Sequence, residues 1–290
     1  MTPKIIDGKS IAAKLRNKIR AQILLRIKHS KPRPKLAVVL VGKDPASKIY
    51  VKNKHRACEE VGIIPVDYFL PATISQKKLL SLIQKLNKDK TVNGILVQLP
   101  LPKHLQTDEI IEQIHPLKDV DGFHSFNLGR LAQNRPQLRP CTPYGVMLLL
   151  EAIGQPLVGK HAVIVGASNI VGKPMALELL AAGSTVTICH RFTKNLANEV
   201  NKADLLVSAV GKPAFIKGKW LKKGVTVIDV GIILLPNGEL TGDLEFTEAK
   251  KQAKWITPVP GGVGPMTVAV LLKNTLLAQE LQMKAKKNKR

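Results

Sequence analysis

Short apolar runs alternate with amphipathic stretches along most of the chain, and this alternation is its main structural signal. The apolar runs have the length of buried strands, and the stretches between them have the length of helices that cover a sheet. Such alternation is typical of α/β proteins built on parallel sheets. Strands are therefore predicted at 36–42, 66–71, 94–100, 161–167, 184–190, 203–211, 224–232 and 255–260.

Helix boundary residues place two helices between the first strands. Asp44 suits an N-cap, Pro45 suits the first helical position, and Gly62 suits the left-handed residue that ends a helix. A second helix is predicted over about 75–89. Tyr50 therefore lies in the first half of a helix that follows the first strand.

The stretch from 115 to 143 interrupts this pattern with many Pro, Gly, Asn and charged residues, so we predict that it crosses between two domains. Thr142 is then predicted to cap a helix that Gly154 terminates. The last helix is predicted at about 266–282. The basic tail at 283–290 is predicted to be disordered, because a dense terminal run of like charges favours solvated chain.

Length and composition favour two ordinary domains in the cytosol. With 290 residues and 44% hydrophobic content, the chain can bury two cores. No apolar run approaches the roughly 18 residues of a membrane span, and the start of the chain lacks the apolar core of a secretion signal. Cys58, Cys141 and Cys189 lie far apart, so buried reduced thiols are expected rather than disulfides or a metal site.

The formal charge of +24, with a pI near 10.1, raises nucleic-acid binding as a function of a different class. Apart from the terminal KAKKNKR, however, the basic residues are spread along the chain. Aromatic residues, which stack on unpaired bases, make up only 4% of it. Nucleic-acid binding is therefore the disfavoured alternative, and the same charge favours anionic small ligands.

Tyr50 and Lys54 stand four positions apart, so their side chains lie on one face of the predicted helix. Ligands of open α/β sheets bind beyond the carboxyl ends of the strands, where this helix starts. The pair can share a cleft with Gln98, near the end of a predicted strand, and with Asp121 in the crossing stretch. The alternative is a half-buried tyrosine beside a solvated lysine, with Asp119 and Asp121 as turn formers.

The segment HAVIVGASNIVGKP at 161–174 indicates a strand, a tight turn and a helix, as in dinucleotide-binding folds. Gly166 and Gly172 suit close backbone approach, but Ser168 replaces the second glycine of G-x-G-x-x-G, so a purely structural turn is the alternative. The next strand is followed by Arg191, and a cation there favours the 2′-phosphate of NADP over the ribose hydroxyls of NAD. NADP is the expected cofactor.

A tyrosine and a lysine one turn apart also occur in short-chain dehydrogenases, where they act together in carbonyl chemistry. In those enzymes the cofactor turn comes before the pair. Here Tyr50 precedes Gly166 by a whole predicted domain, so the order of the motifs disfavours that class.

Nine short stretches form an ordered set over nearly the whole chain: IIDGK, YVKNK, GILVQLPLP, KDVDGFH, RPCTP, GASNIVGKP, ADLLVSAVGKP, VIDVGI and PVPGGVGPMT. Together they resemble the bifunctional methylenetetrahydrofolate dehydrogenase/cyclohydrolase (FolD) family. The resemblance implies oxidation of 5,10-methylenetetrahydrofolate with NADP, followed by hydrolysis to 10-formyltetrahydrofolate, in the one-carbon metabolism that serves purine biosynthesis. It also implies a homodimer that acts on folate. The basic charge of the chain would favour a polyglutamylated form of that substrate.

The resemblance further implies a two-domain α/β architecture, with an N-terminal folate-binding domain, a Rossmann-like parallel-sheet NADP domain and an active-site cleft between them. On this basis the folate domain is predicted at 1–140, completed by the helix at 266–282. The NADP domain is predicted at 141–265.

Site residues follow from the same resemblance. Those assigned to folate chemistry are the catalytic lysine Lys54, the stacking tyrosine Tyr50, the lysine's hydrogen-bond partner Gln98 and the pterin-binding aspartate Asp121. Those assigned to the cofactor are Gly166, Ala167, Ser168, Arg191 and Ile232. Those assigned to the loop that borders the folate are Pro260, Gly261 and Gly262.

The chain departs from the family pattern in two places. Ala167 stands where many relatives carry Arg, and residues 190–192 read His-Arg-Phe where many read His-Ser-Arg. The 2′-phosphate contact is therefore expected at Arg191. Ile233 and Leu234 replace an Asn-Arg pair, which removes polar groups beside the expected cofactor site.

Overall fold

The computed structural model describes residues 4–287, and residues 1–3 and 288–290 lie outside the described part. The chain divides into two compact units, which we name after one residue of each. The Gly166 unit comprises Met1–Ala13 and Thr142–Thr267, and the Lys54 unit comprises Lys14–Cys141 and Val268–Arg290. Residues 4–13 fall in the Gly166 unit by their contacts, because strand Lys4–Ile5 pairs with Trp255–Ile256.

The secondary structure alternates as the apolar pattern predicts. The strands are β1 Lys4–Ile5, β2 Lys35–Val41, β3 Ile64–Leu70, β4 Gly94–Val97, β5 His161–Val165, β6 Thr185–Cys189, β7 Leu205–Ser208, β8 Thr226–Asp229, β9 Ile233–Leu234, β10 Leu240–Thr241 and β11 Trp255–Ile256. The α-helices are α1 Gly8–Lys28, α2 Pro45–Val61, α3 Gln76–Lys88, α4 Thr107–Glu112, α5 Ser125–Ala132, α6 Cys141–Ala152, α7 Gly172–Ala181, α8 Leu196–Asn201, α9 Phe246–Gln252 and α10 Val263–Lys287.

The Gly166 unit contains a parallel sheet with the strand order β1–β11–β8–β7–β5–β6. Its central strands β5, β7 and β8 are almost entirely buried, and Val163, Leu206 and Val227 are fully buried in one cluster. Because β6 and β7 lie on opposite sides of β5, the direction of winding reverses between β5 and β7. The carboxyl ends of these two strands form the topological switch point at which such sheets bind ligands.

The Lys54 unit contains a parallel sheet with the order β3–β2–β4. Its central strand β2 is buried along nearly its whole length, and Leu79 and Ile83 of α3 pack into the same core. At the carboxyl ends of β2 and β4, the backbone N–H of Gln98 donates to the carbonyl of Val39 at 2.8 Å. Helix α2 begins beyond this edge, so its first turns lie where a ligand would bind.

The predicted boundaries of α2 are confirmed. The Asp44 carboxylate accepts a hydrogen bond from the backbone N–H of Ser47 at 2.7 Å, and Gly62 ends the helix with φ +91°. Each predicted strand is present, but several are shorter than expected. The strand predicted at 94–100 ends at Val97, and Pro100 has no backbone N–H with which to continue the ladder.

Other predictions need correction. Helix α1 was not predicted, although Ala12, Ile19 and Ile23 recur at helical spacing and are buried. Thr142 lies inside the first turn of α6 rather than at its cap, and its hydroxyl bonds that of Thr267 at 2.9 Å. Helix α10 continues to Lys287, so much of the predicted disordered tail is helical, as its lysines and alanine favour. The rest of that tail lies outside the described residues.

Candidate active site

Lys54 and Gln98 meet at the carboxyl edge of the β3–β2–β4 sheet. The Lys54 Nζ donates to Gln98 Oε1 at 2.8 Å, and Gln98 Nε2 donates to the carbonyl of Leu99 at 2.7 Å. Both side chains are partly buried. The amide of Gln98 is thus fixed by its own neighbour, and its oxygen gives the lysine amine a defined direction.

Asp119 and Asp121 have separate roles in one loop. The Asp119 carboxylate accepts backbone N–H bonds from Gly122, Phe123 and His124 at 2.9–3.2 Å. It also accepts a bond from Asn127 Nδ2 at 2.8 Å, so Asp119 is the turn former. Asp121 is partly buried instead and lies within electrostatic reach of Lys54. Burial raises the pKa of Asp121 to about 6, although the Lys54 ammonium opposes that rise.

Two side chains without a predicted role support the Asp121 loop. The Cys141 thiol donates to the carbonyl of Val120 at 3.2 Å and lies beside Asp121. The Asn274 amide donates to the carbonyls of Val120 and Arg139 at 2.9 and 2.8 Å. The sequence offered a signal for Cys141 in RPCTP, whereas Asn274 sits in an apolar helix far along the chain.

As predicted, all three cysteines are free and buried.

Tyr50 lies one helical turn before Lys54 on α2 and is 38% exposed. Burial of the rest of the side chain raises the pKa of the Tyr50 hydroxyl. The ring is therefore half sheltered and half available to a planar ligand. The Lys54 unit thus brings together Lys54, Gln98 and Asp121, and it presents Tyr50 on the same helix face as the lysine.

The predicted cofactor turn follows β5 at the switch point. Gly166 has φ +121°, and a Cβ atom there would lie 2.3 Å from the carbonyl oxygen of Ala209. A Cβ on Gly172 would lie 2.0 Å from the carbonyl oxygen of Gly166. Both positions therefore require glycine. The turn continues through Ala167 and residues 168–171 to α7, whose N-terminus can face an anion, so the residues present fit a dinucleotide phosphate.

Ser168 contributes to the turn differently from a second glycine. Its hydroxyl accepts the backbone N–H groups of Val171 and Gly172 at 3.1 and 3.3 Å, which fixes the start of α7. Arg191 is exposed after β6, and its guanidinium carbon lies 4.7 Å from the ring centroid of Phe192. Arg191 thus presents an exposed cation after β6.

Ile232 follows β8 and is 40% exposed. Its side chain approaches Gly264, where an added Cβ would lie 3.1 Å from Ile232 Cδ1. In the next strand, Leu234 is one of the two residues that replace the Asn-Arg pair of the family pattern. It is 62% exposed, so it presents an apolar side chain to solvent.

The predicted loop of Pro260, Gly261 and Gly262 packs against the start of the chain, within the Gly166 unit. Gly261 has φ +110°, and its carbonyl accepts the backbone N–H of Lys9 at 3.1 Å. A Cβ on Gly8 would lie 1.8 Å from the carbonyl oxygen of Gly262. The IIDGK and PGGVGP motifs thus contact each other through backbone atoms.

A buried pair of carboxylates, Asp229 and Asp243, was missed by sequence reasoning. They are 2% and 0% exposed, and the backbone N–H of Asp243 donates to Asp229 Oδ1 at 3.0 Å. Burial raises the pKa of Asp229 to about 7; backbone N–H donors oppose that rise, and the Asp243 charge adds to it. Asp229 stands in VIDVGI, but its pairing with a residue of TGDLEF has no signal in the sequence.

Within residues 4–287, no group of three or more His, Cys, Asp or Glu side chains is arranged to hold a metal ion. No helix in that range is long and apolar enough to cross a membrane.

Comparison with protein families identifies two matching models. Residues 6–121 match the tetrahydrofolate dehydrogenase/cyclohydrolase catalytic domain. Residues 140–283 match the tetrahydrofolate dehydrogenase/cyclohydrolase NAD(P)-binding domain.

Comparison with solved structures gives the same result. The chain is similar to the bifunctional FolD methylenetetrahydrofolate dehydrogenase/cyclohydrolase of Campylobacter jejuni, with 48% identity, a TM-score of 0.93, and 96% of this chain and 99% of that chain covered. It is similar to the FolD of Trypanosoma brucei, solved with NADP and an inhibitor, with 36% identity, a TM-score of 0.93, and 97% and 99% covered. It shares the fold of the NAD-dependent 5,10-methylenetetrahydrofolate dehydrogenase of Saccharomyces cerevisiae, with 20% identity, a TM-score of 0.83, and 99% and 100% covered.

Proposed function

The chain belongs to the tetrahydrofolate dehydrogenase/cyclohydrolase family, and from this premise we propose which of its residues perform each reaction. The enzyme oxidises 5,10-methylenetetrahydrofolate to 5,10-methenyltetrahydrofolate and hydrolyses that product to 10-formyltetrahydrofolate. The observation that carries the assignment is the 2.8 Å bond from Lys54 to Gln98, with Asp121 close to the same amine.

In the oxidation, the protein chiefly aligns the substrate. NADP supplies the acceptor for the hydride that leaves the methylene carbon. The two folate nitrogens that flank this carbon stabilise the cation left behind, so the step needs positioning more than a protein base. Tyr50 packs against an aromatic ring of the folate, and the Asp121 carboxylate accepts N–H groups of the pterin.

In the hydrolysis, Lys54 carries the proton. Water adds to the methenyl carbon, and the Lys54 amine accepts the proton that the water loses. The bond between that carbon and N5 then breaks as N5 takes up a proton, which leaves the formyl group on N10. Gln98 acts by fixing the direction of the amine, because its oxygen bonds Nζ. Pro260, Gly261 and Gly262 contribute a backbone surface beside the folate.

The cofactor residues form one group in the Gly166 unit. Gly166, Ala167 and Ser168 bring the backbone close to the pyrophosphate, and Ile232 packs beside the nicotinamide. Arg191 bonds the 2′-phosphate and gives the enzyme its preference for NADP over NAD. The positive charge of Arg191 supports this role. Ala167 stands where many relatives carry Arg and has no charge, so Arg191 supplies the cation instead.

The proposal includes a cytoplasmic homodimer with a folate domain at 1–140 and 266–282 and an NADP domain at 141–265. Strand β6 supports the dimer, because among the described residues it pairs only with β5 and carries Ile188 at 39% exposure. The free, buried cysteines agree with a reducing compartment. The net charge of +24 suits polyglutamylated folate, whose extra carboxylates add to the attraction.

Two absorbance assays on the purified protein test this function. The first follows NADPH formation from 5,10-methylenetetrahydrofolate, with NAD as a parallel acceptor. The second follows the loss of 5,10-methenyltetrahydrofolate without any nicotinamide cofactor. We expect both activities and a lower KM for NADP than for NAD. Absence of both activities, with salt-dependent binding of labelled RNA, would contradict the proposal and favour a basic binding protein.

A further inference from the structure

The Asp243 carboxylate holds the loop that follows β7. Its Oδ2 accepts the Ser208 hydroxyl at 2.9 Å and the Val210 N–H at 2.7 Å. Its Oδ1 accepts the N–H groups of Gly211 and Lys212 at 2.9 and 3.1 Å. Three successive backbone donors thus converge on one buried anion, an arrangement that fixes the path of the loop.

This loop borders the dinucleotide turn. The carbonyl oxygen of Ala209 lies where a side chain at Gly166 would otherwise stand, 2.3 Å from the position of an added Cβ. The backbone N–H of Ala209 donates to Val165 at 2.8 Å. The loop after β7 and the turn after β5 therefore form the two sides of the switch point, where a dinucleotide binds.

Asp229 keeps Asp243 in place from the neighbouring strand. Its Oδ1 accepts the N–H groups of Gly231 and Asp243, both at 3.0 Å, and its Oδ2 accepts the N–H of Leu244 at 3.1 Å. Two neighbouring glycines leave the room that these carboxylates occupy. A Cβ on Gly231 would lie 2.4 Å from Asp243 Oδ1, and one on Gly242 would lie 2.0 Å from Asp229 Oδ2.

We propose that Asp243 is a positioning residue for NADP, because it fixes the loop Ala209–Lys212 against the Gly166 turn and thereby sets the affinity of the cofactor site. This inference rests on the proposed location of the cofactor. Asp243 itself is fully buried and acts through the loop. The hydrolysis of methenyltetrahydrofolate uses no nicotinamide, so it provides an internal measure of whether the rest of the enzyme is intact.

The test compares Asp243→Asn with wild type in three measurements: the Kd of NADP by calorimetry, the dehydrogenase KM values for NADP and folate, and cyclohydrolase turnover without NADP. A carboxamide replaces one oxygen by an NH2 group, so at least one pair of loop donors loses its acceptor. We expect the Kd and KM of NADP to rise about tenfold or more. The folate KM and the cyclohydrolase turnover should stay within about twofold of wild type.

Asp204→Asn is the matched control. Asp204 also fixes a backbone N–H, that of His161 at 3.1 Å, and it pairs with Lys222 at 2.7 Å. It precedes β7, however, so it lies at the opposite end of the strand from the switch point. We expect Asp204→Asn to lower the melting temperature without changing the Kd of NADP.

Several outcomes would overturn the inference. One is an unchanged Kd of NADP in Asp243→Asn. Another is an equal loss of both activities in that variant with unchanged KM values, which is the result expected if Asp243 has a purely structural role. If Asp243→Asn does not fold, the Kd of NADP in Ser208→Ala tests the inference instead. This substitution removes one donor to Asp243 and should raise the Kd of NADP about two- to fivefold, and an unchanged Kd would overturn the inference. Wild type that neither binds nor reduces NADP would instead refute the proposed cofactor function.

Discussion

Asp121 in the Lys54 unit and Asp243 in the Gly166 unit are both carboxylates that lie outside the named strands, but their surroundings differ. Asp121 lies beside the side chains of Lys54 and Cys141, and it is partly exposed. Asp243 is fully buried and accepts three hydrogen bonds from the loop Ala209–Lys212 and one from the Ser208 hydroxyl at the end of β7. In the first region the side chains are available to a ligand. In the second they shape the backbone that meets the ligand.

This difference separates two ways of losing activity. In the proposed assignment, a substitution at Tyr50, Lys54 or Asp121 removes a group that touches the substrate, so it changes the chemistry directly. A substitution at Asp243 changes the cofactor site through a loop. Because the enzyme catalyses one reaction with NADP and one without it, the ratio of the two activities distinguishes these cases.

The largest expected effect is that of Lys54→Met on the hydrolysis. Loss of the proton carrier should lower cyclohydrolase turnover by about 10²–10⁴-fold. The oxidation needs alignment rather than a base, so dehydrogenase turnover should stay within about threefold of wild type. The loss of methenyltetrahydrofolate absorbance measures the first rate, and NADPH formation measures the second. Lys52→Met, on the exposed side of the same helix, is the control and should leave both rates unchanged. Full cyclohydrolase turnover in Lys54→Met would refute the assignment.

Asp121→Asn should affect both reactions, because both use the same pterin. Loss of a charged acceptor for pterin N–H groups should lower kcat/KM for folate by about 10- to 100-fold in each assay. The KM for NADP should not change. Asp108→Asn, at an exposed carboxylate of α4, is the matched control. An effect confined to one of the two reactions would contradict pterin binding by Asp121.

The pH dependence of kcat/KM for folate gives a third test. The pKa of Asp121 is raised from its ordinary 3.8 to about 6, so the carboxylate becomes protonated as the pH falls through about 6. Since the charged form binds the pterin, kcat/KM should fall by about tenfold for each pH unit below that value. Asp121→Asn should remove this dependence, and its persistence in that variant would assign the titration to another group.

Arg191→Ala is expected to have a smaller, selective effect in the other unit. Loss of an exposed cation near the 2′-phosphate should raise the KM for NADP about five- to tenfold and leave the KM for NAD unchanged. Lys219→Ala removes an exposed positive charge elsewhere in that unit and is the control. Equal increases in KM for both cofactors would remove the proposed role of Arg191 in cofactor choice.

The periodicity of the sequence was enough to predict the sheets and part of the site in the Lys54 unit. Buried parallel strands are continuous apolar runs, and the Asp44 cap and Gly62 are local signals, so the position of α2 followed from neighbouring residues. Tyr50 and Lys54 then share a helix face for a geometrical reason. The bond between Lys54 and Gln98 joins residues 44 positions apart, and it came from the family resemblance rather than from spacing.

Other features had no local signal. The contacts of Asp243 depend on the order of strands in the sheet, which brings residues 208–212 beside a residue about 30 positions later. The two-residue strands β1, β9 and β10 are too short to show a pattern. Helix α1 had a signal in its buried Ala12, Ile19 and Ile23, but its many basic residues obscured the apolar stripe.

The different roles of Lys54 and Asp243 are best tested by one ratio measured in two variants. The ratio is cyclohydrolase turnover, measured without NADP, divided by dehydrogenase kcat/KM for NADP. In Lys54→Met the ratio should fall by about 10² or more, because only the hydrolysis loses its proton carrier. In Asp243→Asn the ratio should rise about tenfold, because only the cofactor site is altered. Ratios that move in the same direction, or that stay at the wild-type value, would contradict the account.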